Sequence, residues 1–161
     1  KGFYIDLHGH GHSINRLELG YMLSSGDLAL SDQILSETRF ISKSSLRSLG
    51  EEPGVVFSDL VRGPLSLGSL MELEGIPAVP SQGQPNPGSD PFFSGGDNTG
   101  RLGSRNGGPI SGVQIECNFP GVRDTEANRA AFSVALGKAL AIYFPQFLGM
   151  PFAPVPAPGG E

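Results

Sequence analysis

Cysteine is almost absent from this chain. Cys117 is the only one in 161 residues, so an internal disulfide is excluded and a buried thiol is the expectation. Cationic side chains are also sparse: eleven Lys and Arg stand against sixteen Asp and Glu, leaving a formal charge of −5 and a pI near 5.1. The eleven are scattered, which argues against a nucleic-acid stripe and against a polybasic membrane anchor. Long hydrophobic runs are missing too. None approaches the length of a membrane span, and no signal peptide opens the chain, so a soluble protein is expected with its compartment left open. Position 1 is Lys1 rather than methionine, directly in strand-like sequence. That start leads to the expectation of a processed chain whose upstream part has been removed.

Histidine is equally rare, and all three lie between His8 and His12. They follow Phe3-Tyr4-Ile5-Asp6-Leu7-His8, which alternates as a strand does. Phe3, Ile5 and Leu7 then pack one way while Tyr4, Asp6 and His8 point the other. Apolar neighbours place this strand in a core, where Asp6 and His8 need partners, a metal or a supporting group among them. Gly9 and Gly11 follow at once, as at a strand that ends in a site.

With 38% hydrophobic residues, the chain is long enough for one domain with a real core, assigned to residues 1–148. Leu17 to Leu23 reads as a second strand ended by Ser24-Ser25-Gly26; Arg16 and Glu18 share a face there, as an exposed edge pair or as site residues. Helical spacing runs from Ser31 to Ser36, from Ser42 to Leu49, from Val55 to Val61 and over Leu65 to Leu73. Residues 75–112 are rich in Gly, Pro, Ser, Asn and Asp, and a loop of that length is either disordered or functional. Phe92, Phe93, Arg101 and Arg105 favour function, since arginine grips a carboxylate through its planar fork. Val113 to Phe119 reads as another core strand, with Gln114, Glu116 and Asn118 on one face and Cys117 on the other. A carboxylate there must be paired, hydrogen-bonded or raised in pKa. Asp124-Thr125-Glu126 opens the longest helix, whose stripe is Ala130, Phe132, Ala135, Leu136, Ala139, Leu140 and Tyr143 and which Pro145 ends. Residues 149–161 form a Pro/Gly-rich tail.

Three site chemistries can be built from these residues. His8, His10 and His12 as one metal site suffer from Gly9 and Gly11, which break the strand before a second imidazole can align. A hydrolase built on Cys117 fails because its face is apolar, which raises a thiol pKa. The third pairs His8 as a metal ligand with Glu116 as acid/base residue at the ends of two core strands.

Here a resemblance emerges. Ile5-Asp6-Leu7-His8-Gly9 resembles the strand carrying the last zinc ligand in N-formylglutamate amidohydrolases and their larger relatives, the zinc carboxypeptidases. Pro91 to Thr99, continued through Arg101 and Gly103, resembles the substrate loop of the amidohydrolases, and Gly112 to Glu116 resembles their catalytic-glutamate strand. The blocks follow family order from about Phe3 to Leu148. The resemblance implies an α/β fold: a three-layer, zinc carboxypeptidase-like mixed sheet with flanking helices, of which this chain supplies the C-terminal half. It implies zinc-dependent hydrolysis of amide bonds in N-formyl or N-acyl amino acids or peptides, with His8 on zinc and Glu116 as general base and acid. Arg101 or Arg105 would hold the substrate carboxylate or bear the oxyanion, with Gly96 and Thr99 in the same substrate-binding loop. Strand geometry adds Asp6 as the group that orients His8.

The family's other two zinc ligands, a His and a Glu three residues apart, have no counterpart, because no His-x-x-Glu exists in the chain. The expectation is a heterodimer with an N-terminal chain of the same precursor that supplies them, acting on a small carboxylate-bearing amide or peptide, with neither nucleic acid nor membrane as partner. The rival reading is a non-enzymatic binding or defence protein on a degenerate hydrolase scaffold.

Overall fold

The alternation at the N-terminus forms strand β1, Gly2–Gly9, and the second core strand forms β4, Ile110–Cys117. Between them lie β2, Leu17–Gly20, and the two-residue β3, Ala78–Val79. The computed structural model describes residues 1–152; most of the Pro/Gly-rich tail expected from the sequence lies outside the described residues. The strands form one mixed, open sheet in the order β1-β4-β2-β3. β1 runs parallel to β4, β4 antiparallel to β2, and β2 parallel to β3. Every residue of β2 is buried and all of β4 after Ile110, whereas β1 is only half-buried. The sequence reading puts β1 inside a core; it lies instead at the edge of the sheet, with Leu7 55% exposed.

Among the described residues eight α-helices flank the sheet: α1 (Ser25–Leu28), α2 (Asp32–Leu35), α3 (Thr38–Lys43), α4 (Arg47–Gly50), α5 (Phe57–Arg62), α6 (Leu67–Leu73), α7 (Asp97–Leu102) and α8 (Glu126–Tyr143). The apolar sheet face, built from Leu17, Leu19, Val113, Ile115 and Cys117, joins one core with α6 and α8. α6 lies so close that the Cα of Gly68 leaves no room for a side chain against the Pro80 carbonyl. On α8 the expected stripe holds at Phe132, Ala135, Ala139, Leu140 and Tyr143, but Ala130 is exposed and Leu136 half-buried. Phe3 of β1 meets Tyr143 and Phe144 edge-on at 5.4 and 5.8 Å between ring centroids. The opposite sheet face is covered by the segment carrying α7.

Three local expectations change. Ser24-Ser25-Gly26 is a helix start, because Ser24 and Asp27 close a capping box that opens α1. The helix expected over 42–49 breaks at Ser44, whose hydroxyl donates to the Tyr21 carbonyl at 3.0 Å, while the Ser45 hydroxyl donates to the Gly112 carbonyl at 2.7 Å. Those bonds draw the chain out of the helix and onto the sheet. Residues 75–112 contain β3, α7, a 3-10 turn at Ser104–Asn106 and the start of β4, so the stretch is ordered rather than one long loop. The sequence reading also finds no span-length apolar run, yet Glu126–Leu148 is long and apolar enough, at mean hydropathy 1.3, to cross a membrane by length and composition alone. In this fold its buried residues pack on the sheet.

Cys117 faces that core as expected, and burial pushes its thiol up to about 11, with Arg123 opposing and Glu116 reinforcing the shift. At pH 8 about one thiol in a thousand is then ionised. A thiol-specific disulfide reagent should leave the native chain unmodified for minutes and modify one thiol in guanidinium; prompt native reaction would contradict this burial. The raised value also sets a sign. The neutral thiol contributes its full stability below the unfolded value near 8.5, and loses it as pH rises toward about 11.

Candidate metal centre

Strand register brings the polar residues of three strands onto one sheet face. Residues directly opposite share a face, and Glu116 of β4 lies opposite both His8 of β1 and Glu18 of β2. His8, Glu116 and Glu18 therefore form one row across the sheet, with Asp6 and Gln114 in the row beside it. Glu116 is 5% exposed and Glu18 not at all. Carboxylates at such depth need partners.

Each finds them on a different side. Gln114 Nε2 donates to Glu116 Oε1 at 2.6 Å, and His8 Nδ1 stands 3.8 Å from the same oxygen. His8 Nε2 lies 3.1 Å from Asp6 Oδ1, so a proton on Nε2 leaves the lone pair of Nδ1 toward Glu116. The His8 ring is 46% exposed. Asp6 Oδ2 and Gln114 Oε1 are buried without any hydrogen-bond partner. Beside His8 the chain thus places one imidazole between two carboxylates, with two unpartnered oxygens in the row beside Glu116.

On the other side of Glu116 the chain loops back. The backbone N–H of His10 donates to the Cys117 carbonyl at 3.1 Å, and Arg123 donates to the carbonyls of Cys117 and His10 at 2.9 and 3.0 Å. The Arg123 guanidinium packs directly on Gly9, so a side chain there would have to push Arg123 aside. This clamp turns residues 10–12 over β2, where His12 Nδ1 reaches Glu18 Oε1 at 2.8 Å. His10, His12 and Glu18 offer ligand atoms within 4.8 Å of one another, and this group could hold a metal ion.

The structure therefore divides the three histidines. His10 and His12 pack ring to ring, 5.0 Å apart, and join Glu18, whereas His8 pairs with Asp6 and Glu116. Arg16 and Glu18, expected as an edge pair or as site residues, are buried and do not bond each other. Arg16 donates to Asp90 and to the Pro91 carbonyl, both at 3.4 Å, and Glu18 Oε2 accepts from the Phe93 N–H at 2.8 Å. Together they tie the 90–93 segment down over the site.

The residues expected in a substrate loop sit further along that segment. Gly96 approaches Gln114 so closely that a Cβ would lie 2.7 Å from its Oε1. Gly96, Arg101 and Arg105 line an open depression of about 530 Å³ with Met22, Gly95, Asp97, Gly100 and Asn106. Arg101 is largely exposed and weakly paired with Asp97 at 3.6 Å. Thr99, expected at the substrate, is fully buried with its hydroxyl unpartnered, and does not line the depression. Compared with protein-family models, with curated proteins and with solved structures, the chain matches none.

Proposed function

We propose that this chain is the C-terminal portion of a zinc-dependent hydrolase of amide bonds in N-formyl or N-acyl amino acids or peptides, completed by an N-terminal chain of the same precursor. The observation that carries the reading is the opposition of His8 and Glu116 on adjacent parallel strands, ring nitrogen 3.8 Å from carboxylate, on one polar face. In this reading His8 binds zinc through Nδ1 while Asp6 holds its Nε2. Zinc held there would supply Lewis-acid chemistry, polarising an amide carbonyl and acidifying water. Glu116, fixed by Gln114, would take a proton from the attacking water and return it to the departing amine. Arg105, with Arg101 at the rim of the same depression, takes the substrate carboxylate.

Support for a partner chain comes from the edge of β1. Among the described residues no strand pairs with it, and Leu7 and Ile110 beside it are 55% and 45% exposed. An edge with unpaired backbone and apolar side chains is a template for another strand. The test is hydrolysis of N-formyl and N-acyl amino acids by the native particle. Activity lost on chelation, restored by zinc and carried by a particle heavier than 16.9 kDa is the expected result. A zinc-loaded particle that binds such compounds without cleaving them would overturn the reading in favour of a binding protein.

A further inference from the structure

We infer that His10, His12 and Glu18 form a metal site of this chain's own, separate from His8 and needing no partner chain. The inference goes beyond the hydrolase reading, which it neither uses nor requires. Its ground is that His10 and Glu18 each have one polar atom committed outside the trio, so that the other faces inward, while stacking on Phe93 sets the His12 ring with Nδ1 toward Glu18 Oε1.

His10 is 2% exposed. Its Nε2 lies 2.8 Å from the Arg16 carbonyl. A carbonyl only accepts, so the proton sits on Nε2 and the lone pair is on Nδ1. Nδ1 accordingly accepts the His12 N–H at 3.1 Å, a contact that a metal would displace together with the 2.8 Å bond between His12 Nδ1 and Glu18 Oε1. Glu18 is committed in the same way: Phe93 N–H holds Oε2 at 2.8 Å, leaving Oε1 toward His12. The His12 ring is stacked on Phe93, 4.8 Å between centroids and 11° from parallel. Phe93 thus fixes two members at once, the carboxylate through its backbone and the imidazole through its ring.

Imidazoles held by a carbonyl acceptor and carboxylates held by an N–H donor are what orients metal ligands in proteins. The metal would take His10 through Nδ1, Glu18 through Oε1 and His12 through Nδ1. With a proton on Nε2, the His12 ring presents the Nδ1 lone pair to the metal. Two nitrogens and one carboxylate oxygen suit a borderline first-row divalent ion, and three protein ligands leave a position open. Hard, oxygen-seeking cations such as Mg²⁺ and Ca²⁺ are disfavoured by the two imidazoles.

The test is equilibrium dialysis of the full chain against Zn²⁺, with Co²⁺ absorption reporting the ligand field. About one equivalent of tightly held ion is expected, with a tetrahedral-type Co²⁺ spectrum. H12A and Glu18→Gln should each weaken binding by at least about 100-fold, while H8A leaves it within about threefold. Glu18→Gln keeps the side-chain volume and the Phe93 bond, so it reports on the ligand even if H12A perturbs the fold; circular dichroism verifies both. Binding of less than about a tenth of an equivalent, or loss on H8A with retention in Glu18→Gln, overturns the inference. Neither result depends on amide hydrolysis, so the two proposals fail separately.

Discussion

Glu116→Gln is expected to lower kcat for amide hydrolysis by about 10²- to 10⁴-fold, the usual contribution of a positioned general base. KM and metal content should change little. The substitution is nearly isosteric, and a glutamine carbonyl oxygen can still accept the bond that Gln114 Nε2 now donates to Glu116 Oε1 at 2.6 Å. The strand should therefore keep its packing, and only the ability to take a proton is removed. Thermal unfolding measured beside kcat separates the two effects. A variant that unfolds like the parent and still turns over within about threefold would show that Glu116 is a satisfied structural carboxylate.

What the sequence shows of the polar face around Glu116 follows from how far each signal reaches along the chain. Side-chain alternation is local, so the shared face of Asp6 and His8, and that of Gln114 and Glu116, was legible in two short stretches. The long helix, with Thr125 as its cap and Pro145 beyond its end, was legible for the same reason. Strand order is not local. Glu18 reads equally as an edge residue or a site residue until β2 is placed beside β4, where it lies opposite Glu116 and is wholly buried. His10 is placed in part by Arg123, more than a hundred positions away, which donates to its carbonyl. The reverse error has the same origin: β1 alternates like a core strand, yet its neighbour on one side only is β4. Thr99 was read as a loop residue because the turn chemistry around it hid α7, whose inward side it occupies.

Gly20→Ala should couple fold to site most directly, with a loss of about 1–3 kcal/mol in unfolding free energy and a lower kcat/KM. Gly20 ends β2 on the face that carries Glu18, opposite Gln114. A methyl group there would stand 2.6 Å from the Cα of Gly95 and 2.7 Å from the carbonyl carbon of Ser94. Both are backbone atoms and cannot rotate away, unlike the flexible end of a side chain. The segment cannot yield freely either, since the Met22 N–H donates to the Ser94 carbonyl at 2.6 Å and Glu18 and Arg16 hold residues 90–93. Relief must come from lifting the whole segment, which takes Gly96 off Gln114 and so loosens the group that fixes Glu116. Hydrogen exchange at the Met22 and Phe93 amides should accelerate before global unfolding does. Gly26→Ala is the matched control, because Gly26 lies in α1 with no atom closer than 3.8 Å to an added Cβ. There the same methyl should leave activity unchanged and add up to about 1 kcal/mol of helix stability. If Gly20→Ala unfolds at the parent's denaturant midpoint, close backbone contact does not hold the 90–96 segment over the sheet, and its position must be set by Arg16 and Glu18 alone.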